Sequence, residues 1–593
     1  MAGSREEKCE NLNQSETLLE ETFYVLSKKK SVFRVKLSKL GLCLINESEE
    51  LIKEQLISIN DIIGCRCLRS KKQKNSCACQ SLARTSSIKV VDEKSGDHDD
   101  EDISAYLYIY AYILQNNGSN IHRDRTIITL RFRSFDKYED NYKEAQRWRT
   151  VIKKLLNGES IEKKNIFEFG AIIPLKEDRR LLFLLNPKSG AGRGRALFQK
   201  KVVPILQEAE VPYDLQITKY ANYAREFMRT ANVFQWTTVV AVGGDGILFE
   251  VLNGVFERPD WLEVLNRIVF AIIPSGSGNG LARTIAHQFS EPYHPHPTLA
   301  ATLALVKRHV EPMDIVRVET RSKIMFSFLS AGWGLLSDID IESESLRMLG
   351  GQRFTLWSLA RLIGLRSYTG KVSYLPLDER QQQQLPKMST KTSVDPANVD
   401  FPDEVLLETA EMRTRLGSWY SAASRRSAYF SMVGSVYQST TGSNNEEDEE
   451  NGTKTPLVYG PGSQVAALTA PVPDNWVCLE GQFVMVHASY QSHLGEDCLF
   501  APRSKLNDGI IWLLIVHAKA TRSQLLHFLL GLSTGAHATS KDASGSIELV
   551  PCLAFRIEPD VSEQGYITVD GEHVEYGPIQ AEIFAGLSRI LVP

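Results

Sequence analysis

VVAVGGDGILFEVLNG, residues 239–254, opens as an apolar strand and ends as a helix, with three glycines around one aspartate at the join. Val239, Val240, Ala241 and Val242 show no polar alternation, the pattern of a strand covered on both faces, as in a parallel sheet. Leu248, Val251, Leu252 and Val255 then recur at i, i+3, i+4 and i+7. That stripe packs a helix on the sheet and leaves Glu250 and Asn253 on the other face. The same unit repeats on either side. LLFLL precedes a helix over 194–208, DLQIT one over 220–230, TTVVAV one over 247–256, and RIVFAII one from Leu281 onward. Strands alternating with helices predict a parallel α/β sheet with helices on its faces. Beyond about Asp314 the chain turns strand-rich, through IELVPCLAFRIEP and QGYITVDGE, which predicts a second, mostly antiparallel lobe.

Three of the strands end in glycine-rich turns: Asn186-Pro187-Lys188-Ser189-Gly190, Gly243-Gly244-Asp245-Gly246 and Pro274-Ser275-Gly276-Ser277-Gly278-Asn279. In a parallel sheet such turns gather at the carboxyl edge of the strands, where ligands bind. Glycine lets backbone amides approach phosphate oxygens, and the helix N-termini behind the turns favour negative charge. The cleft is therefore expected to take a nucleoside triphosphate. The Walker pattern is absent, and neither GAGRGR nor GSGNGL fits G-x-G-x-x-G, so this is a different kind of phosphate binder.

LLNPKSGAGRG, AVGGDGILFEVLNG, IPSGSGNGLA and the late VDGE together resemble the diacylglycerol kinase catalytic superfamily, and within it the sphingosine kinases. The similarity covers roughly residues 180–374 and 476–582. It implies a two-lobed lipid-kinase fold, a parallel-sheet α/β nucleotide lobe joined to an antiparallel β-sandwich lobe, that uses ATP and Mg²⁺. In that setting Asp245 is the general base, accepting the proton of an alcohol as its oxygen attacks the γ-phosphate. The alternative is that Asp245 only caps the helix that follows it. The resemblance also puts Asn186, Pro187, Lys188, Thr218, Asn222, Gly243, Gly244, Gly246, Glu250, Gly276, Ser277 and Gly278 at the nucleotide. It adds Arg347, Arg353, Asp570, Gly571 and Glu572. Lys188 departs from the arginine common in the family, keeping the charge but losing the planar fork. No Mg²⁺ ligand is assigned, since such ions are held by one or two carboxylates with phosphates and waters.

The lipid is decided by residues 328–358, FLSAGWGLLSDIDIESESLRMLGGQRFTLWS. Asp338, Asp340, Glu342 and Glu344 repel one another as a strand or as a helix, so the run favours a nearby cation. A sphingoid base carries a primary ammonium, whereas diacylglycerol and ceramide carry none. The resemblance places Asp340, with Ser330 and Asp338, at the substrate head. The alternative is a solvated acidic helix start neutralised by Arg347. An alkyl tail needs an apolar slot, for which FTLWSLARLIGL, IIWLLIV and LLHFLLGL are candidates. The first of these, with its arginines, also has the mix of membrane-surface or calmodulin-target helices.

Outside this core, residues 22–157 hold short alternating strands and one helix, YEDNYKEAQRWRTVIKKLL, with Tyr142, Ala145, Trp148, Val151 and Leu155 on one stripe. This resembles a pleckstrin-homology-like barrel, or is an unrelated β-rich appendage. Four segments are expected: that domain at 22–157, the nucleotide lobe at 178–314, the lipid lobe at 315–375 and 473–593, and a disordered insertion at 376–472. The insertion holds QQQQLPK and NNEEDEENG and is too polar to order itself.

The chain has 593 residues and a net charge of −4, with no basic stripe, so nucleic acid is excluded as an expected partner. No apolar run approaches the roughly 20 residues of a bilayer span, and MAGSREEKCENLNQ has no signal core. A cytoplasmic protein recruited peripherally to membranes is expected. Nine cysteines are read as reduced thiols, Cys65, Cys67, Cys77 and Cys79 as a surface loop rather than a zinc site. The reading is an ATP-dependent kinase of the primary hydroxyl of sphingosine or a related base, with inter-lobe closure excluding water. A ceramide kinase and a non-catalytic lipid-sensing scaffold are the competitors.

Overall fold

The computed structural model describes residues 16–26, 30–46, 53–68, 103–116, 121–163, 166, 180–190, 192–276, 278–343, 352–378, 457–538 and 545–593. Its first part holds two separately paired antiparallel sheets. One is β1 (Thr17–Leu26), β2 (Lys30–Ser38), β3 (Gly41–Asn46) and β4 (Lys53–Ser58); the other is β5 (Ile62–Leu68), β6 (Ala105–Asn116) and β7 (Ile121–Phe132). Helix α1 (Tyr138–Leu156) buries Ala145, Trp148, Val151 and Ile152 against both. Cys65 and Cys67 belong to β5, not to a loop, and burial pushes both thiols up to about 12. Cys77 and Cys79 lie outside the described residues.

AYLYIYAY in β6, residues 105–112, is buried on both faces for two different reasons. Ala105, Leu107, Ile109 and Ala111 point into the core under α1, while Tyr106, Tyr108, Tyr110 and Tyr112 pack against Ile205 and Leu303 of the α/β region. Around that tyrosine face runs a set of ion pairs. Arg123 bonds Glu291 and Asp61, Arg125 bonds Glu208, and Arg149 and Lys153 bond Glu210.

The α/β region begins with β8 (Leu181–Leu185), then α2 (Gly194–Leu197), α3 (Val203–Ala209), β9 (Tyr213–Ile217), α4 (Tyr223–Thr230), β10 (Thr238–Gly243), α5 (Asp245–Phe256), α6 (Trp261–Arg267), β11 (Val269–Pro274), α7 (Gly280–Gln288) and α8 (Pro297–Lys307). Strands β9, β8, β10 and β11 lie in that order, all parallel, with Val242 beside Leu185 and Gly243 beside Pro274. Their carboxyl ends are thus level.

The chain continues through β12 (His309–Glu319), β13 (Ile324–Ser327), β14 (Ser330–Gly334), α9 (Leu335–Glu342), α10 (Gln352–Ile363) and β15 (Tyr368–Pro376). After the insertion come β16 (Val477–Ser489), β17 (His493–Gly495), β18 (Cys498–Leu499), β19 (Ile511–His517), α11 (Arg522–Gly531), β20 (Ile547–Pro559), β21 (Ile567–Val569), β22 (Glu572–Val574) and β23 (Ile579–Val592). These later strands pair antiparallel. They do not form a separate sheet: β23 pairs in parallel with β11 at Phe270 and Ile590, and antiparallel with β12 and β20, so one sheet carries both regions.

The insertion expected as disordered at 376–472 is corrected at its end. Residues 457–472 are described: the Tyr459 amide donates to the Phe256 carbonyl at 2.8 Å, and Arg556 donates to the carbonyls of Ala467 and Ala470. A buried guanidinium needs acceptors, and this polar stretch supplies them through its backbone. QQQQLPK and NNEEDEENG lie outside the described residues, as do Glu344, Arg347 and Ser277.

The Arg123 side chain is 5% exposed and the Glu291 side chain 9%. Removing one partner of a buried pair costs about 3–5 kcal/mol because the other charge is left uncompensated. Arg123→Met is therefore expected to lower the first thermal transition and to speed amide exchange along β6. Unchanged exchange there would mean that the tyrosine face alone holds the two parts together.

Candidate active site

Three strand ends meet at distances that exclude side chains. A β-carbon on Gly276 would lie 2.5 Å from the Gly244 Cα and 2.6 Å from its nitrogen. One on Gly244 would lie 2.8 Å from the Gly278 carbonyl oxygen. Gly190, at φ +58°, faces the Ser275 carbonyl at 2.6 Å by the same measure, and Gly194 faces the Asn186 carbonyl at 2.8 Å. Backbone hydrogen bonds run between the turns, from the Ser275 amide to the Gly243 carbonyl at 2.9 Å and from the Asp245 amide to the Gly278 carbonyl at 3.3 Å. The turns of β8, β10 and β11 thus form one surface of closely spaced backbone.

Asp245 is the first residue of α5 and is 5% exposed. Its carboxylate accepts from the amides of Gly280 at 2.8 Å and Leu281 at 3.3 Å, buried donors in the first turn of α7. The helix it caps is therefore the one behind the third turn, not its own. Burial pushes its carboxyl up to about 6 against those hydrogen bonds, and the nearby Asp570 adds to the rise. A carboxylate so placed is ionised at neutral pH, oriented, and basic enough to take a proton.

Glu250 directs both oxygens to the amides of Asn222 and Ala224, each at 3.1 Å. Asn222 sits in the left-handed region at φ +63° and begins α4, so Glu250 holds the loop from Thr218 to Asn222 in place. The Thr218 amide donates to the Leu185 carbonyl at 2.8 Å, and Asn186 Oδ1 accepts from the Lys188 amide at 3.0 Å, leaving the Lys188 side chain exposed.

Asp570 differs from the expectation of a nucleotide contact. It is buried, and its carboxylate accepts from Ser327 Oγ at 2.6 Å and from the amides of Phe328, Leu329 and Ser330 at 2.9 to 3.0 Å. A carboxylate with four donors is turned into the protein, where it fixes the chain entering β14. Its neighbours face the cleft. A β-carbon on Gly571, at φ +81°, would be 3.3 Å from Asp340 Oδ2, and one on Gly246 would be 2.8 Å from Glu572 Oε1. The chain 570–572 thereby connects the Asp245 turn to helix α9.

On α9 the three acidic residues Asp338, Asp340 and Glu342 diverge. Asp338 is buried, with Oδ2 accepting from the Tyr368 hydroxyl at 2.6 Å and Oδ1 without a partner among the described residues; burial raises its carboxyl. Asp340 is half-buried beside Gly571. Glu342 is paired with Arg361 of α10 and accepts from Trp357 Nε1 at 2.9 Å. The backbone of Arg353 is in α10, but its side chain, like Arg347 and Ser277, is outside the described residues.

Residue patterns gave no warning of Glu496. Asn279 Oδ1 accepts from the Gly276 amide, and its Nδ2 donates to the Gly276 carbonyl and to Glu496 Oε1 at 2.9 Å, 217 residues away. Tyr293 donates to the same oxygen at 3.2 Å. The third turn is therefore tied to the later part of the chain. Asn279 was visible within the turn motif itself; Glu496 has no local pattern.

Residues 180–318 match the family model of the diacylglycerol kinase catalytic domain. The chain is 32% identical to human sphingosine kinase 2 over 546 residues, spanning 83% of this chain and 82% of that protein. The chain belongs to the sphingosine kinase family. It is 30% identical to human sphingosine kinase 1, over 68% of this chain and 88% of that one. A solved diacylglycerol kinase from Bacillus anthracis str. Sterne is more distant, at 17% identity and a TM-score of 0.41, over 70% of this chain and 98% of that one. Membership of a kinase family implies ATP as the phosphoryl donor.

A methyl group separates two glycines of this surface. Gly276→Ala drives a β-carbon into the Gly244 backbone, whereas at Gly278 the nearest atom, Asp245 Oδ2, is 3.8 Å away. Since a displacement of 1 Å can cost about 100-fold, Gly276→Ala is expected to lose ATP turnover by about that factor and Gly278→Ala by much less. Kinetics at varied ATP concentration check this. Equal effects would show that the contact between the turns is not what shapes the site.

Proposed function

We propose that this chain transfers the γ-phosphoryl group of ATP to the primary hydroxyl of sphingosine or a related long-chain base, giving the 1-phosphate. The observation that carries this is the position of Asp245, one buried carboxylate where three glycine turns meet, linked through Glu572 and Gly571 to the acidic helix α9. ATP lies with its phosphates on the turns of Asn186 to Gly190, Gly243 to Gly246 and Gly276 to Gly278, with Lys188 the exposed cation at their rim. Asp245 takes the hydroxyl proton as the substrate oxygen forms its bond to the γ-phosphorus and the bond to the ADP oxygen breaks. Its two amide donors keep the carboxylate aimed during that transfer.

The ammonium of the base is met by Asp340 and by the unpartnered oxygen of Asp338. Ser330, whose backbone is fixed by Asp570, lies at the same end. Among the described residues no cluster of three or more ligating side chains could hold a metal by itself. That fits Mg²⁺ carried mainly by phosphate oxygens, with Asp245 or Glu572 as the carboxylates nearest the turns. Bound there, it neutralises charge on the transferring group.

The two N-terminal sheets and their closing helix support a pleckstrin-homology-like reading of the first domain. Peripheral membrane contact is the companion proposal. No described helix is long and apolar enough to cross a membrane, but Ile363 of α10 and Leu530 of α11 are each more than half exposed above an apolar cluster. A calmodulin-type partner for α10 would have to displace Trp357 and Arg361 from Glu342.

Purified protein with labelled ATP, Mg²⁺ and a panel of sphingosine, ceramide and diacylglycerol tests the substrate. Sphingosine is expected to be the phosphorylated lipid; equal or better turnover of ceramide would sink the ammonium reading. Asp245→Asn is expected to lower kcat by about 10² to 10⁴. An activity equal to the wild type would leave a scaffold that does no chemistry.

The same residue sets a pH dependence. Activity needs the ionised form, so kcat/KM is expected to fall as pH drops below about 6. For stability the sign is opposite. Between the unfolded value of 3.8 and about 6, the folded state keeps a proton the unfolded chain has released. The wild type should therefore lose stability relative to Asp245→Asn as pH rises through that window, which paired denaturant titrations at several pH values measure.

A further inference from the structure

Strands β14, β16 and β19 lie side by side, and residues directly opposite one another share a face. On one face they form three rows: Ser330, Ser489 and Trp512; Gly332, His487 and Leu514; Gly334, Met485 and Val516. Met485, Trp512, Leu514 and Val516 belong to an apolar cluster that also takes in Leu335 and Ile339 of α9. The helix that presents acidic groups to the substrate head thus presents its apolar residues to this cluster. The cluster begins where the head is held and is the natural place for the tail.

Within it stand polar atoms that nothing satisfies. His487 is 6% exposed and Trp512 1%, and among the described residues neither His487 ring nitrogen nor Trp512 Nε1 has a hydrogen-bond partner. Buried polar groups are rarely left so, because each forfeits its hydrogen bond to water. The imidazole is accommodated deliberately. A β-carbon at Gly332 would lie 2.1 Å from His487 Nδ1, so only glycine leaves room for the ring, which packs edge-on against Phe500 at 5.2 Å between centroids.

Burial pushes His487 down to about 4, so the ring is neutral, with one N–H donor and one bare nitrogen acceptor. Trp512 lies diagonally across the strand pair, its Cα about 7–8 Å away by sheet geometry, and adds a second donor. A hydroxyl can accept twice and donate once. One hydroxyl placed between the ring and the indole would accept from Trp512 Nε1 and bond one imidazole nitrogen, the two ring nitrogens pointing apart. The row of His487 is two residues along the strand from that of Ser330, about 7 Å, which sets the hydroxyl a few carbons beyond the head.

We propose that His487, with Trp512, recognises a hydroxyl on the hydrocarbon chain of the bound lipid, so that the protein selects a 4-hydroxylated long-chain base over the base lacking that group. This rests on the phosphotransfer reading above. The test compares kcat/KM for a saturated base with and without the 4-hydroxyl, in the wild type, His487→Leu and His487→Gln, using labelled ATP. The ratio of the two rates cancels any loss of folded enzyme.

The ratio is expected to fall about tenfold or more in His487→Leu, since a site built to bond a hydroxyl penalises its absence or mismatch. It should be largely kept in His487→Gln, which retains a donor and an acceptor. A histidine that merely fills the core would lower both rates together, and a ratio unchanged in His487→Leu would overturn the proposal alone. A wild type that phosphorylates neither base would overturn the phosphotransfer reading, and this one with it.

Discussion

Gly244 and Gly276 touch through their backbones, and most of the site follows from that contact. With no β-carbon between them, the turn after β10 lies directly against the turn after β11. This closeness brings the Asp245 carboxylate under the first amides of α7. An isolated carboxylate would not stay ionised in such a buried position; two amide donors and the positive end of a helix keep its pKa near 6 rather than far above it. The glycines thus do two things at once. They bring the backbones of two turns into contact, and they let one helix N-terminus orient the carboxylate on another.

Asp570 is governed by the same physics with a different outcome. It too is buried and pushed up to about 6, but its four donors belong to residues 327–330. Asp570 adds to the rise of the Asp245 carboxyl, which the hydrogen bonds from Gly280 and Leu281 oppose. Asp570 is a positioning residue: it fixes Ser330 and the start of β14, and through Gly571 it sets the wall that Asp340 faces. Asp245 keeps two donors and a side open to the turns. The difference in donor count separates a fully satisfied carboxylate from one with accepting capacity to spare.

Local pattern made the α/β alternation, the three turns and Asp245 legible, because apolar periodicity and glycine both act over a few residues. It did not reveal that one sheet runs through both regions, since strand order depends on pairing such as Phe270 with Ile590, 320 residues apart by numbering. Nor did it separate Glu342 from Asp340: the acidic run reads uniformly until Arg361 folds back and neutralises one member. Composition misjudged 457–472 because a polar stretch can be ordered by what its backbone offers a buried arginine. His487 was passed over for the opposite reason. A lone histidine in an apolar strand carries no motif, and only the absence of partners makes it informative.

Lobe closure as a rigid rotation is hard to reconcile with this arrangement. The regions share β23, which pairs with β12 from His309 to Glu319 and meets β11 at a single residue pair. That seam is thin, but α7 reinforces it from above. Thr284 accepts from the His493 amide at 3.1 Å, and Asn279 reaches Glu496. Any rotation large enough to open the seam would pull on α7, and α7 supplies the donors that aim Asp245. A rotation of that kind would therefore disturb the Asp245 carboxylate. Helices α9 and α10 sit over the apolar cluster, joined to each other by the Glu342–Arg361 pair.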